Sequence, residues 1–171
     1  MQPLPTIPPA SPRVAARRSL ARTTRRWLAL AGSVALVAAV TLALRWSYQA
    51  SDVFVAEDLS NITYGADLLR GGELPLVDSA ETRAPGASFV TWALWSLTER
   101  SLVVVHRFAV IWTLLAAVGL LLLGRVLWGT GHGLVAALVY SAGAPALDGL
   151  TIGHATFMVT PLIWSAVALA Q

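Results

Sequence analysis

Glu57 and Asp58 are adjacent carboxylates, and Asp67, Glu73, Asp78 and Glu81 follow them closely. Six of the nine acidic residues therefore fall in 56–86, AEDLSNITYGADLLRGGELPLVDSAETRAPG, between long apolar runs. Two neighbouring carboxylates raise one another's pKa, which favours a proton acceptor near neutral pH. Asp58 is the first candidate for such a base and Glu57 the second. A plainer reading has the pair complement the positive end of the helix that they open. His154, with Asp148 nearby, is a further polar group that could face the same site, or it simply punctuates the end of an apolar run. A metal site would need His154 beside Asp58, and the spacing does not indicate one.

The elements that must hold these residues are helices in or against a bilayer. The chain is 56% apolar and only 12% charged, with a mean hydropathy of +0.67. Soluble domains carry about 25% charged residues, so the deficit points to lipid. Seven Trp and three Tyr fit the headgroup level. With no Cys, disulfides, thiolate metal sites and Cys nucleophiles are excluded. All twelve basic residues are Arg, and six of them precede residue 27. That is a sidedness signal and not a nucleic-acid footprint, because no basic patch with interleaved aromatics appears.

In order, residues 1–26 form a Pro- and Arg-rich tail, expected to be disordered and cytoplasmic, since positive charge beside a span stays inside. The membrane domain is 27–171. Trp27–Leu44 is charge-free over 18 residues, about 27 Å as a helix, and reads as an anchor running outward and not as a cleaved leader. Residues 45–106 make an outer loop. Within it Glu57–Arg70 is predicted helical: Leu59, Ile62, Ala66 and Leu69 fall on one stripe, Asp67 and Arg70 can pair at i, i+3, and Gly71-Gly72 ends the helix. Leu74–Pro85 reads as loop. Gly86–Leu97, apolar with Phe89, Trp92 and Trp95, is short for a span and reads as an interfacial helix. Further spans are expected at 108–124, 134–147, after a Gly-rich turn in WGTGHG, and 155–170. The fold expected is thus all-α and polytopic, with about four transmembrane helices and an amphipathic helix outside. A rival topology has Gly86–Val105 span, which inverts everything after it.

The central stretch resembles the GT-C superfamily of glycosyltransferases that use polyprenyl-phosphate sugars, in the mannosyltransferase, aminoarabinose-transferase and rhizobial RgtA-like branches. In those the pattern is D-E, an amphipathic helix, L-L-x-G-G-x-P-Y-x-D, E-K-P-P, then R-L before a span. The matching positions here are Glu57-Asp58, Leu68-Leu69, Gly71-Gly72, Pro75, Asp78, Glu81, Arg83, Pro85 and Arg107. The departures are the order Glu-Asp, Leu76 for the aromatic, Thr82 inserted between Glu81 and Arg83, and Ala84-Pro85 for Pro-Pro. The resemblance covers residues 27–171 and only the N-terminal part of such enzymes, so the chain is expected to be a fragment, a truncated form or a small relative.

The resemblance implies inverting transfer of a sugar from a polyprenyl phosphate to an acceptor hydroxyl outside the cell membrane. It implies membrane lipid and the lipid-linked sugar as partners, and no cofactor or metal. Asp58 or Glu57 would then take the acceptor proton. Arg83 could grip the leaving phosphate bidentately, with Glu81 orienting it and Asp78 beside it. Arg107 is a second phosphate candidate, and His154 would lie on the acceptor side. Each Arg has a competing use, as a headgroup contact or an anchor at a span edge. Two other functions compete. One is a non-catalytic membrane protein or partner subunit that retains the scaffold. The other is half of a transporter, which the charge-free spans argue against.

Overall fold

The computed structural model describes residues 12–47, 57–75, 77, 85–144 and 153–171, and all regular structure among them is helical. Six helices follow in order: α1 (Pro12–Arg45), α2 (Glu57–Gly71), α3 (Gly86–Leu97), α4 (Leu102–Leu127), α5 (Thr130–Gly143) and α6 (His154–Leu169). Two are long and apolar enough to cross a membrane, α1 over Thr23–Arg45 and α4 over Leu102–Leu127, and Ala155–Leu169 is a shorter apolar helix. Residues 1–11 of the expected tail lie outside the described residues, as do 48–56, 76, 78–84 and 145–152.

The chain divides into two units, Met1–Ser33 and Val34–Gln171. In the first, α1 begins at Pro12 and runs unbroken through the Arg-rich segment, where a disordered tail was expected. Pro is well placed there, because the first helical residue needs no N–H partner. Trp27 and Leu28 are exposed on this part of α1.

The second unit is a bundle of α4, α5 and α6 with the end of α1, capped at one end by α2 and α3. α4 and α5 are antiparallel and touch through glycine. A Cβ on Gly133 would lie 2.2 Å from the Leu121 carbonyl oxygen, and one on Gly124 would lie 2.5 Å from the Gly133 Cα. Small residues let two helix backbones approach closely. The turn between the two helices is only Trp128-Gly129, with Gly129 at φ 101°. The expected Gly-rich turn is therefore mostly helix: Gly131, His132 and Gly133 belong to α5, where Gly133 is spent on packing.

α6 runs parallel to α4. Trp112 stacks on Phe157, with ring centroids 5.2 Å apart and planes 3° from parallel. Trp112 Nε1 donates to the Phe157 carbonyl at 3.3 Å. That carbonyl is the one left over by Pro161, which sits inside α6 without an N–H to return to residue i−4. A side chain on α4 thus repairs a backbone gap in α6. Thr160 Oγ1 donates to the Trp112 carbonyl at 3.3 Å, and Trp164 Nε1 to the Leu115 carbonyl at 3.1 Å. The end of α1 joins α5, with Thr41 Oγ1 donating to Ser141 Oγ at 3.0 Å.

These contacts place one set of helix ends together: the C-termini of α1 and α5 and the N-termini of α4 and α6. α2 and α3 pack at that same end. Leu59 and Ala66 of α2 cluster with Trp95 of α3 and Val105 of α4. Ile62 clusters with Ala87 and Ala109, flanked by Phe108 and Phe157. The predicted stripe of α2 is buried at Leu59, Ile62 and Ala66 and half-buried at Leu69. α2 ends where its glycines predict. Gly72 has φ 84°, Gly72 N donates to Leu69 O at 3.3 Å, and Glu73 N donates to Leu68 O at 2.9 Å. That is the paired-bond ending which a left-handed residue after the helix allows.

α3 crosses α2 so tightly that a Cβ on Gly65 would meet Ser88 Oγ at 2.5 Å. Its Trp95 turns inward, while Phe89 and Trp92 stay exposed. The stretch Gly86–Val105 is broken after Leu97. Ser101 then caps α4, its Oγ accepting from Val103 N at 3.1 Å, so α4 starts at Leu102, earlier than the predicted Phe108. Asp67 does not use Arg70 as its ion-pair partner. It pairs with Arg100, which the α3–α4 turn brings over it and which also lies 5.8 Å above the Trp95 ring.

Candidate functional site

The first two residues of α2 are Glu57 and Asp58, the sequence candidates for the base. α2 is fixed against α3 and α4 by its buried stripe, so Asp58 has a defined place at the capped end of the bundle. Its side chain is half-buried. It lies against Gly153, the residue that precedes α6: a Cβ on Gly153 would be 3.2 Å from Asp58 Oδ2 and 4.0 Å from Asp58 Cβ. Gly153 is itself buried. Asp58 therefore stands at the junction of two helix N-termini, its own and that of α6. The first N–H groups of a helix have no partners within it and carry partial positive charge, so both ends supply a field suited to an anion.

His154 is the first residue of α6, next to Gly153 in sequence. The structure thus brings the backbone of Gly153 to Asp58. Among the described residues no group of three or more His, Asp or Glu is placed to hold a metal ion. Arg107 lies on the second turn of α4, exposed, directly after the buried His106. Asp78, Glu81 and Arg83 lie outside the described residues.

Three features at the same end went unnoticed in the sequence. Arg45, the last residue of α1, is fully buried, and its Nη1 donates to the Ser141 carbonyl at 3.4 Å. Burying an uncompensated guanidinium carries a desolvation penalty of several kcal/mol, so its surroundings must supply acceptors. The signal was present, an Arg placed directly after an 18-residue charge-free run, but such a residue normally reads as an anchor at the membrane edge. The second feature is His106, which is 1% exposed. The third is a cleft of about 390 Å³ between the end of α5 and the start of α6. Val139, Tyr140, Gly143, Ala155, Thr156 and Val159 are among its lining residues. It is largely apolar, and its size falls in the range of small-molecule pockets.

Compared with protein-family models, with curated proteins and with solved structures, the chain matched none.

Proposed function

We propose that this chain is a GT-C-like glycosyltransferase, or the N-terminal part of one, embedded in the cell membrane with its N-terminus in the cytoplasm. In this reading α1, α4, α5 and α6 cross the bilayer and α2–α3 rest on the outer face. A sugar passes from a polyprenyl phosphate to an acceptor hydroxyl. The acceptor oxygen attacks the anomeric carbon and gives its proton to Asp58, or to Glu57 beside it. The bond from that carbon to the phosphate oxygen breaks, and the electron pair leaves with the polyprenyl phosphate, held by Arg83 and Arg107. Glu81, Asp78 and His154 orient the reactants.

The observation that carries this reading is the position of Asp58. It is held on a packed helix at the end of an apolar bundle, against the start of α6 and at the same end as the apolar cleft. A general base must be fixed within reach of the proton that it removes, and it contributes about 10²- to 10⁴-fold. The test is the native-length protein in proteoliposomes with a panel of undecaprenyl- and decaprenyl-phosphate sugars, measuring release of free polyprenyl phosphate. Asp58→Asn should lower turnover by about 100-fold or more, and Arg83→Ala should raise the KM for the donor. Unchanged transfer in both variants removes the assignment and leaves the non-catalytic scaffold.

A further inference from the structure

We infer that Gly153 is the positioning residue for Asp58, a seat whose missing side chain sets where that carboxylate lies. The inference rests on reading Asp58 as the base and adds a residue that the sequence pattern does not contain. Gly153 has φ −97° and ψ 166°, ordinary extended backbone that any residue adopts. Its conformation therefore gives no reason for glycine. Gly86, where the chain enters α3, differs, since a Cβ there would meet only the end of the Phe157 ring at 3.6 Å, an ordinary contact. At Gly153 the nearest atom to a Cβ would be Asp58 Oδ2 at 3.2 Å, closer than a methyl group normally sits. What a side chain at 153 would meet is the Asp58 carboxylate, which would have to shift to admit it.

The contact joins elements far apart in the chain. Asp58 opens α2, and Gly153 follows the segment after α5. A methyl group at 153 would push the carboxylate off by a few tenths of an ångström, and a branched side chain would push it further. Displacement of a catalytic group by about 1 Å costs up to about 10²-fold in rate. It acts on the chemical step and leaves donor binding alone, provided the bundle stays folded.

Two measurements test this, and the Cys-free chain suits both. In the first, Asp58→Cys and Gly153→Cys are combined in the full chain in membranes and treated with copper phenanthroline. A Cβ–Cβ separation of 4.0 Å lies within the range for a disulfide, so a cross-link should form readily. The pair Asp58→Cys with Thr130→Cys, whose second site is at the opposite end of α5, should give none. A cross-link no faster than that control overturns the inference. In the second, Gly153→Ala and Gly153→Val should lower kcat progressively, about tenfold and about 100-fold, with donor KM and melting temperature unchanged. Wild-type kcat in Gly153→Val overturns the positioning role. Full turnover by Asp58→Asn overturns the base reading and this role with it, while the cross-link still reports the contact.

Discussion

At the scale of single residues, glycines of one chain do unlike jobs, and the distances tell them apart. Gly133 lies against backbone: its Cβ would sit 2.2 Å from Leu121 O and 2.9 Å from Arg125 N. Neither atom can move without moving α4. Gly131, two residues earlier in the same helix, has nothing within 4 Å. Gly133→Ala should therefore force α4 and α5 apart and destabilise the protein by about 3 kcal/mol or more, at or beyond the top of the usual range for overpacking. Gly131→Ala should be neutral or stabilising by roughly 0.5–1 kcal/mol, since alanine suits a helix better. Thermal denaturation in detergent, with both variants side by side, reads the difference. Equal melting temperatures would mean that the α4–α5 contact is looser than it stands here. Gly-x-Gly spacing in TGHG does not separate the two residues. Only the partner helix does.

At the scale of elements, α6 depends on α4 for a hydrogen bond that its own sequence removes. Pro161 deprives the Phe157 carbonyl of its donor, and Trp112 Nε1 supplies one. Trp112→Phe keeps most of the stacked ring but removes that N–H. It should cost about 1–3 kcal/mol, the range for leaving a buried acceptor unsatisfied. Pro161→Ala restores a helical N–H, so the same Trp112→Phe change should cost less in that background. A double-mutant cycle on detergent-solubilised protein gives the coupling directly. A Trp112→Phe cost independent of residue 161 would rule out the repair and leave only the ring stack. By contrast the exposed Asp67–Arg100 pair, with side chains 36% and 59% exposed, is worth about 1 kcal/mol at most. What fixes α2 is its apolar stripe, in which Leu59 and Ile62 are fully buried.

For the molecule as a whole, the question is which ends share a face. α1 and α5 end together, α4 and α6 begin together, and α2 and α3 pack there. If this end faces outward, Glu73→Cys, exposed after α2, should react with a membrane-impermeant maleimide on intact cells. Thr130→Cys, at the start of α5 and the opposite end, should react only after permeabilisation. Reaction of Thr130→Cys and protection of Glu73→Cys would invert the molecule and place the acidic end in the cytoplasm, on the wrong side for the proposed reaction.

The sequence by itself determined what depends on neighbours along the chain. The stripe at Leu59, Ile62 and Ala66, the stop at Gly71-Gly72 and the short helix Gly86–Leu97 follow from periodicity and backbone preference, which act within a few residues. The apolar runs likewise announced helices, two of which are long and apolar enough to cross a membrane. What only the tertiary structure decided depends on pairs far apart in sequence. Asp58 against Gly153, Arg45 against Ser141, Trp112 against the carbonyl left open by Pro161 and Gly124 against Gly133 are all of this kind. α1 begins at Pro12, within an Arg-rich segment whose residues are good helix formers even though their charge reads as tail. In such long-range cases the residue type gave several uses of comparable energy: an anchor or a buried cation for Arg45, a turn or a packing seat for Gly133. The choice between them is made by which helix lies alongside, and periodicity carries no information about that.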